Sequence, residues 1–199
     1  MDDWLAKTNS RKGGRVMEKF LIEHCSPTLA SLKTANLFNY KYTDEGELYG
    51  YLRDLNRQLS VKGVRATLLR KYDHSALVYV FRESKLQNDL DQSGVKQFMR
   101  QYGYDNPTAK QAVAMLRKRF ATGDGFPHEI GLFLGYPLGD VIGYIENAGR
   151  NSKCSGCWKV YCNECEAMKL FAKFDKCKTV YRQLFAEGRR SVEQLTVAV

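Results

Sequence analysis

The chain has 199 residues, 44% of them hydrophobic and 12% aromatic, with 31 Lys and Arg against 22 Asp and Glu, a formal net charge of +9. That length supports one sizeable core or two small ones, and the composition excludes a disordered chain. No apolar run approaches the roughly 20 residues that cross a bilayer, and the first residues lack the apolar middle of a secretion signal, so a cytoplasmic protein with reduced thiols is expected.

Residues 1–16 are set apart as an N-terminal extension, non-native or disordered. The run RKGGRVM can be encoded by a purine-rich stretch resembling a bacterial ribosome-binding sequence, and the chain reads as structured from MEKFLIEHC onward. Translation is therefore expected to begin at Met17, and residues 17–199 to form a single α+β domain. A short helix over 17–24 should end at the SPT of 26–28, because a residue before proline is pushed out of the helical region.

LKTANLFNYK (32–41) alternates weakly and reads as a strand. Leu48, Leu52, Leu55 and Leu59 recur at helical spacing, and Gly63 closes that stretch. VRATLLRKY (64–72) and ALVYVFR (76–82), separated by three turn residues, read as an antiparallel hairpin. Helices are expected over 93–102 and 107–121, followed by two short ones within 126–149 joined by a Gly135-Tyr136 elbow. WKVY (158–161) reads as a short strand. A long helix follows, with Ala167, Leu170, Phe171, Phe174, Cys177, Tyr181, Leu184 and Phe185 on one face. This order matches a small antiparallel sheet of ferredoxin-like, split β-α-β type with a helical insertion at about 93–149.

CSGCWKVYCNEC (154–165) concentrates four of the six cysteines. Its C-x2-C-x4-C-x2-C spacing resembles a zinc or iron–sulfur set, but with the knuckles too close together. If WKVY is a strand, Cys157 and Cys162 lie about 16 Å apart at ~3.3 Å per residue, too far for one shared metal. Cys154 and Cys157 could then hold half of a zinc or iron site or act as a redox dithiol. Cys162 and Cys165, placed in the first turn of the last helix, form a separate, more exposed pair, and Cys177 belongs to the core.

His128 and Glu129, in the first turn of a short helix, are candidates for a general acid/base or ligand pair, with Tyr136 and Asp140 beside them and Trp158 on the neighbouring strand. They are not the HExxH zinc motif, since position 132 is leucine. His24-Cys25 resembles a base beside a nucleophile, which makes Cys25 a third catalytic candidate against the alternative of a buried thiol. Lys33 and Arg82, each near a strand, could bind an anion. There is no phosphate loop, GxGxxG or GxSxG. The helix at 137–149 has no cation to place against phosphates, which excludes sequence-specific DNA binding through it.

HCSPTLASLKTANLF, LVYVFRESKL, FPHEIGLFLGYPLGDVIGYIEN and CWKVYCNECEA together resemble an uncharacterised bacterial family, domain of unknown function 3793, common in anaerobes. The resemblance runs from about Met17 to the C-terminus and matches His128-Glu129, Tyr136-Pro137, Trp158 and Tyr161. It implies no established activity, and members often carry other residues at Cys162 and Cys165. Two functions follow as expectations. One is a metal- or redox-linked protein holding a small ligand between the His128 elbow and Cys154–Cys157. The other is a module for RNA or an acidic partner, using the basic surface.

Overall fold

The computed structural model describes residues 2–122 and 125–198. Helix α1 spans Asp2–Leu29 and includes Pro27. The helix therefore starts ahead of the expected extension boundary at Met17 and continues past SPT. Pro27 falls in the last turn, where its missing N–H costs one bond. The turn is closed instead by backbone bonds from Ala30 to Ser26 and from Leu32 and Lys33 to Pro27.

Strand β1 (Ala35–Lys41) leads to helix α2 (Glu45–Leu59), then to the hairpin β2 (Val64–Lys71) and β3 (Ser75–Arg82). Asp44 caps α2 by accepting from the Glu47 N–H, and Leu48, Leu52, Leu55 and Leu59 form its buried stripe. Gly63 ends the following turn at φ 75°. The sheet order is β1-β3-β2, antiparallel throughout, with Ala35 opposite Phe81 and Val64 opposite Arg82 at one end. Both faces are covered, as the near-continuous burial of central β3 requires. Met17, Leu21 and Leu29 of α1 and the α2 leucines pack on one face, with Phe38, Val78 and Val80.

Tyr79 and Phe81 face the other side, toward α3 (Glu83–Asp91), α4 (Ser93–Arg100), α5 (Ala109–Thr122), α6 (Ile130–Phe133) and α7 (Leu138–Glu146). The helical insertion is thus the cover of the second sheet face, and it starts with α3, an element the periodicity did not indicate. A Schellman motif ends α6: the Gly135 N–H reaches the Leu132 carbonyl, and the Tyr136 N–H reaches the Gly131 carbonyl at 2.9 Å. Gly135 has φ 74°, and a Cβ there would lie 2.7 Å from Thr34 Oγ1. Only glycine fits this elbow.

WKVY does not complete a split β-α-β sheet. Its Lys159–Val160 (β5) pairs with Cys154–Ser155 (β4) in a separate hairpin. Among the described residues the main sheet has three strands, so the fold is α+β with small antiparallel sheets, and the ferredoxin-like fourth strand is not there. The hairpin's own core residues, Trp158 and Val160, pack on Ala167, Phe171 and Phe174 of α8 (Glu164–Ala186), which leaves it off the sheet. On α8 the expected face is buried at Ala167, Phe171, Phe174 and Cys177, whereas Leu170 is exposed. A short helix α9 (Val192–Leu195) returns to the α1 side of the core.

Candidate functional site

Asp140 sits in the first turn of α7 and holds the hairpin. One carboxylate oxygen accepts the Trp158 indole N–H at 2.7 Å; the other accepts the Tyr161 and Cys162 backbone N–H groups at 2.8 and 2.9 Å. This buried carboxylate is fully occupied by donors, which is the condition for keeping it inside. Gly143, one turn on, brings Tyr161 so close that a Cβ would lie 2.5 Å from it. Helix α7 and the hairpin are thereby pressed together.

Between them and the 126–136 segment lies a cavity of about 320 Å³. Its walls are Ile130, Leu134 and Val141 with the rings of Tyr136, Tyr144 and Trp158. Tyr136 stacks on Trp158 at 4.9 Å, and Phe171 meets the indole edge-on at 4.6 Å, so this wall is braced from behind. The Tyr136 hydroxyl donates to the Cys157 carbonyl at 3.2 Å, and burial pushes its phenol up to about 12. His128 is exposed beside Tyr144, their rings 5.6 Å apart, and with Ser155 it supplies polar atoms to the lining.

The other expected site residues divide sharply. Glu129, next to His128, is fully buried, paired with Arg119 and 3.4 Å from the Tyr104 hydroxyl; it anchors the segment and does not share the cavity wall. Cys25 is completely buried, and desolvation pushes its thiol far up, so it is a core residue rather than an available nucleophile. Arg82 is completely buried as well. It donates to the carbonyls of Thr28, Leu29, Lys62 and Val197, capping α1 and tying down the C-terminal segment, with no face turned to an anion. Lys33, by contrast, lines a second cavity together with Tyr136 and Cys157.

All six cysteines are free. Cys154 and Cys157 both pack against the Trp158 cluster, but Cys154 turns to Glu164, and burial together with that carboxylate raises its thiol. Cys162 precedes the Asn163 cap and therefore lies outside α8, while Cys165 is in its first turn; both are exposed. Among the described residues no three His, Cys, Asp or Glu side chains are grouped so as to hold a metal ion. Two thiols without further ligands do not fit a structural zinc or an iron–sulfur cluster.

Part of the positive charge is neutralised locally, since Arg119 pairs with Glu129 and Arg189 with Glu187. No helix among the described residues is long and apolar enough to cross a membrane. Sequence reasoning missed Phe126, Ile130, Leu134, Val141 and Tyr144 as cavity walls. Their apolar character reads as core, and only the fold shows that the hairpin stops short of covering them.

No curated protein and no solved structure matches the chain. A family profile described as "Protein of unknown function (DUF3793)" matches residues 21–196, and the chain belongs to that family.

Proposed function

We propose that this protein binds a small, planar and largely apolar ligand with one polar or anionic end. The observation that carries this reading is the cavity between the 126–144 segment and the 154–160 hairpin. Its volume of about 320 Å³ lies at the lower end of the range of roughly 300–1,000 Å³ common for small-molecule sites. Rings on the walls favour a flat partner by stacking, and His128 and Ser155 are positioned to meet its polar end. His128 is also the group that would exchange a proton with a bound molecule, should a reaction take place there. Six free thiols are compatible with a cytoplasmic setting.

The alternative, an RNA- or acidic-partner-binding module, draws on net charge alone. Thermal denaturation with a panel of aromatic acids and their neutral analogues separates the two. A ligand that binds only the folded state raises the midpoint with its concentration. Stabilisation is expected from flat aromatic acids, and it should disappear in Ser155→Trp, which fills the cavity from an exposed position. Stabilisation by RNA, lost with rising salt, and none by any small aromatic compound would favour the alternative instead.

A further inference from the structure

Leu134 and Tyr136 have a cavity on each side. The second, about 240 Å³, lies between α1, the start of β1, the hairpin turn and α8. It differs from the first in chemistry. Its titratable groups come from four places: Glu23 and His24 on α1, Lys33 before β1, Cys157 in the hairpin turn and Lys178 on α8, with Tyr136 as a ring wall.

The least satisfied of these is Lys33. It is only 7% exposed, and its ammonium makes one hydrogen bond, to the Ala35 carbonyl at 2.6 Å, and sits 5.0 Å from the centre of the Tyr136 ring. Burying an ammonium among neutral partners is costly, and a lysine so placed lacks a counter-charge. Burial lowers its pKa to about 8, against the opposing pull of the Cys157 and Cys25 thiols. Lys178 adds a second ammonium, shared with Asp175 at 3.2 Å. Asn36 accepts from Thr28 through its side-chain oxygen, which leaves its amide N–H groups as donors at the wall. One carboxylate opposes them, Glu23, and it is engaged from outside by Lys19 at 3.9 Å. His24 is held toward its neutral form, by burial first, against the pull of Glu23 and with the help of Arg182 and Lys178. The lining thus sets two cations and an amide donor against one carboxylate, Glu23, and Lys33 itself is bonded to a carbonyl and to no acid.

We propose that this second cavity binds a small carboxylate, held by Lys33 and Lys178 against the Tyr136 ring, and that the Cys157 thiol stands within reach of the bound molecule. Cys157 lines this cavity together with Lys33 and Tyr136, and its carbonyl accepts the Tyr136 hydroxyl at 3.2 Å, which places it on the same wall. The site is independent of the aromatic cavity and shares only Leu134 and Tyr136 with it.

Iodoacetate and iodoacetamide test this directly, because they have nearly the same size and differ in charge. Each is attacked at its CH2 carbon by the cysteine sulfur; an S–C bond forms, the C–I bond breaks, iodide leaves and the thiol proton goes to solvent. Rates are followed at each cysteine of the full chain by peptide mass spectrometry, with exposed Cys162 and Cys165 as internal references. The iodoacetate-to-iodoacetamide rate ratio at Cys157 should exceed theirs by about tenfold, the scale on which local fields concentrate charged reagents. Lys33→Met and, separately, Lys178→Gln should each bring it down toward the reference ratio. A ratio at Cys157 no higher than at Cys162 and Cys165 would overturn the site. So would a high ratio that neither substitution lowers, since it would then reflect overall charge alone.

Discussion

Arg82 and Lys33 are both cations at the end of a strand, and from the sequence both read as anion binders. The chain uses them differently because four carbonyl oxygens, from α1, the turn before β2 and the C-terminal segment, converge on Arg82, whereas one reaches Lys33. That difference is made by residues up to 115 positions away, so no local pattern could reveal it. Arg82→Met should lower stability by about 3–5 kcal/mol, since four buried carbonyls lose their donor. The urea midpoint measures this, and a near-wild-type value would mean that water replaces the guanidinium. For Lys33 the pH dependence is the test. Its folded value of about 8 lies below the ordinary 10.5, so between those values the unfolded chain keeps a proton that the folded chain has lost. Stability therefore rises with pH across that window, and the penalty is fully present below pH 8. Lys33→Met removes the penalty. Relative to wild type the variant should be more stable by about 2–3 kcal/mol at pH 7, with the difference shrinking toward pH 10. A difference independent of pH would show that Lys33 is not buried as described.

Among the elements, those with strong local patterns were legible: the leucine stripe of α2, the hairpin β2–β3 and the Gly135 elbow. Helix α3 was not. It follows β3 without any turn residue, its cap Arg82 makes no side-chain capping bond, and its buried stripe is just Leu86 and Leu90. WKVY was legible as a strand but its partner was not, because a two-residue ladder is chosen by packing against α8 and α7. The close fit of α7 to the hairpin gives a paired prediction. Helix propensity alone would make Gly→Ala stabilising by about 1 kcal/mol in either α2 or α7. At Gly50 of α2 nothing lies within 4 Å of the added methyl group, so Gly50→Ala should gain close to that amount. At Gly143 the methyl would lie 2.5 Å from Tyr161, and overpacking of this kind costs about 1–3 kcal/mol, so Gly143→Ala should destabilise. Denaturant midpoints of opposite sign are expected. A stabilising Gly143→Ala would mean that the hairpin is not seated on α7.

In the whole molecule the sheet is a partition between two helical layers, and the hairpin is a third body clamped to α7 and α8 at the margin. Function is read from that margin. The sequence brought His128, Tyr136, Asp140 and Trp158 under suspicion together, and all four contribute to one cavity wall. It could not separate their duties: Asp140 is consumed in holding the hairpin, while Glu129, named with His128 because it is adjacent, points to Arg119. Both residues lie in the turn ahead of α6 and not in the first turn of the helix, and only the packed structure shows that His128 alone of the two lines this cavity.

Trp158 also supplies the reporter for the central claim. Its indole N–H is bonded to Asp140 and its ring forms part of the cavity wall, and the only other tryptophan is Trp4. The decisive measurement is a titration of the nitrogen-15-labelled full chain with small aromatic acids, 2-naphthoate among them, followed by two-dimensional proton–nitrogen NMR. A cavity that binds flat ligands predicts saturable shifts of the Trp158 indole N–H and of amides within 130–141 and 155–159, absent in Ser155→Trp. Failure of every compound to move the Trp158 signal, or equal binding by Ser155→Trp, would contradict it.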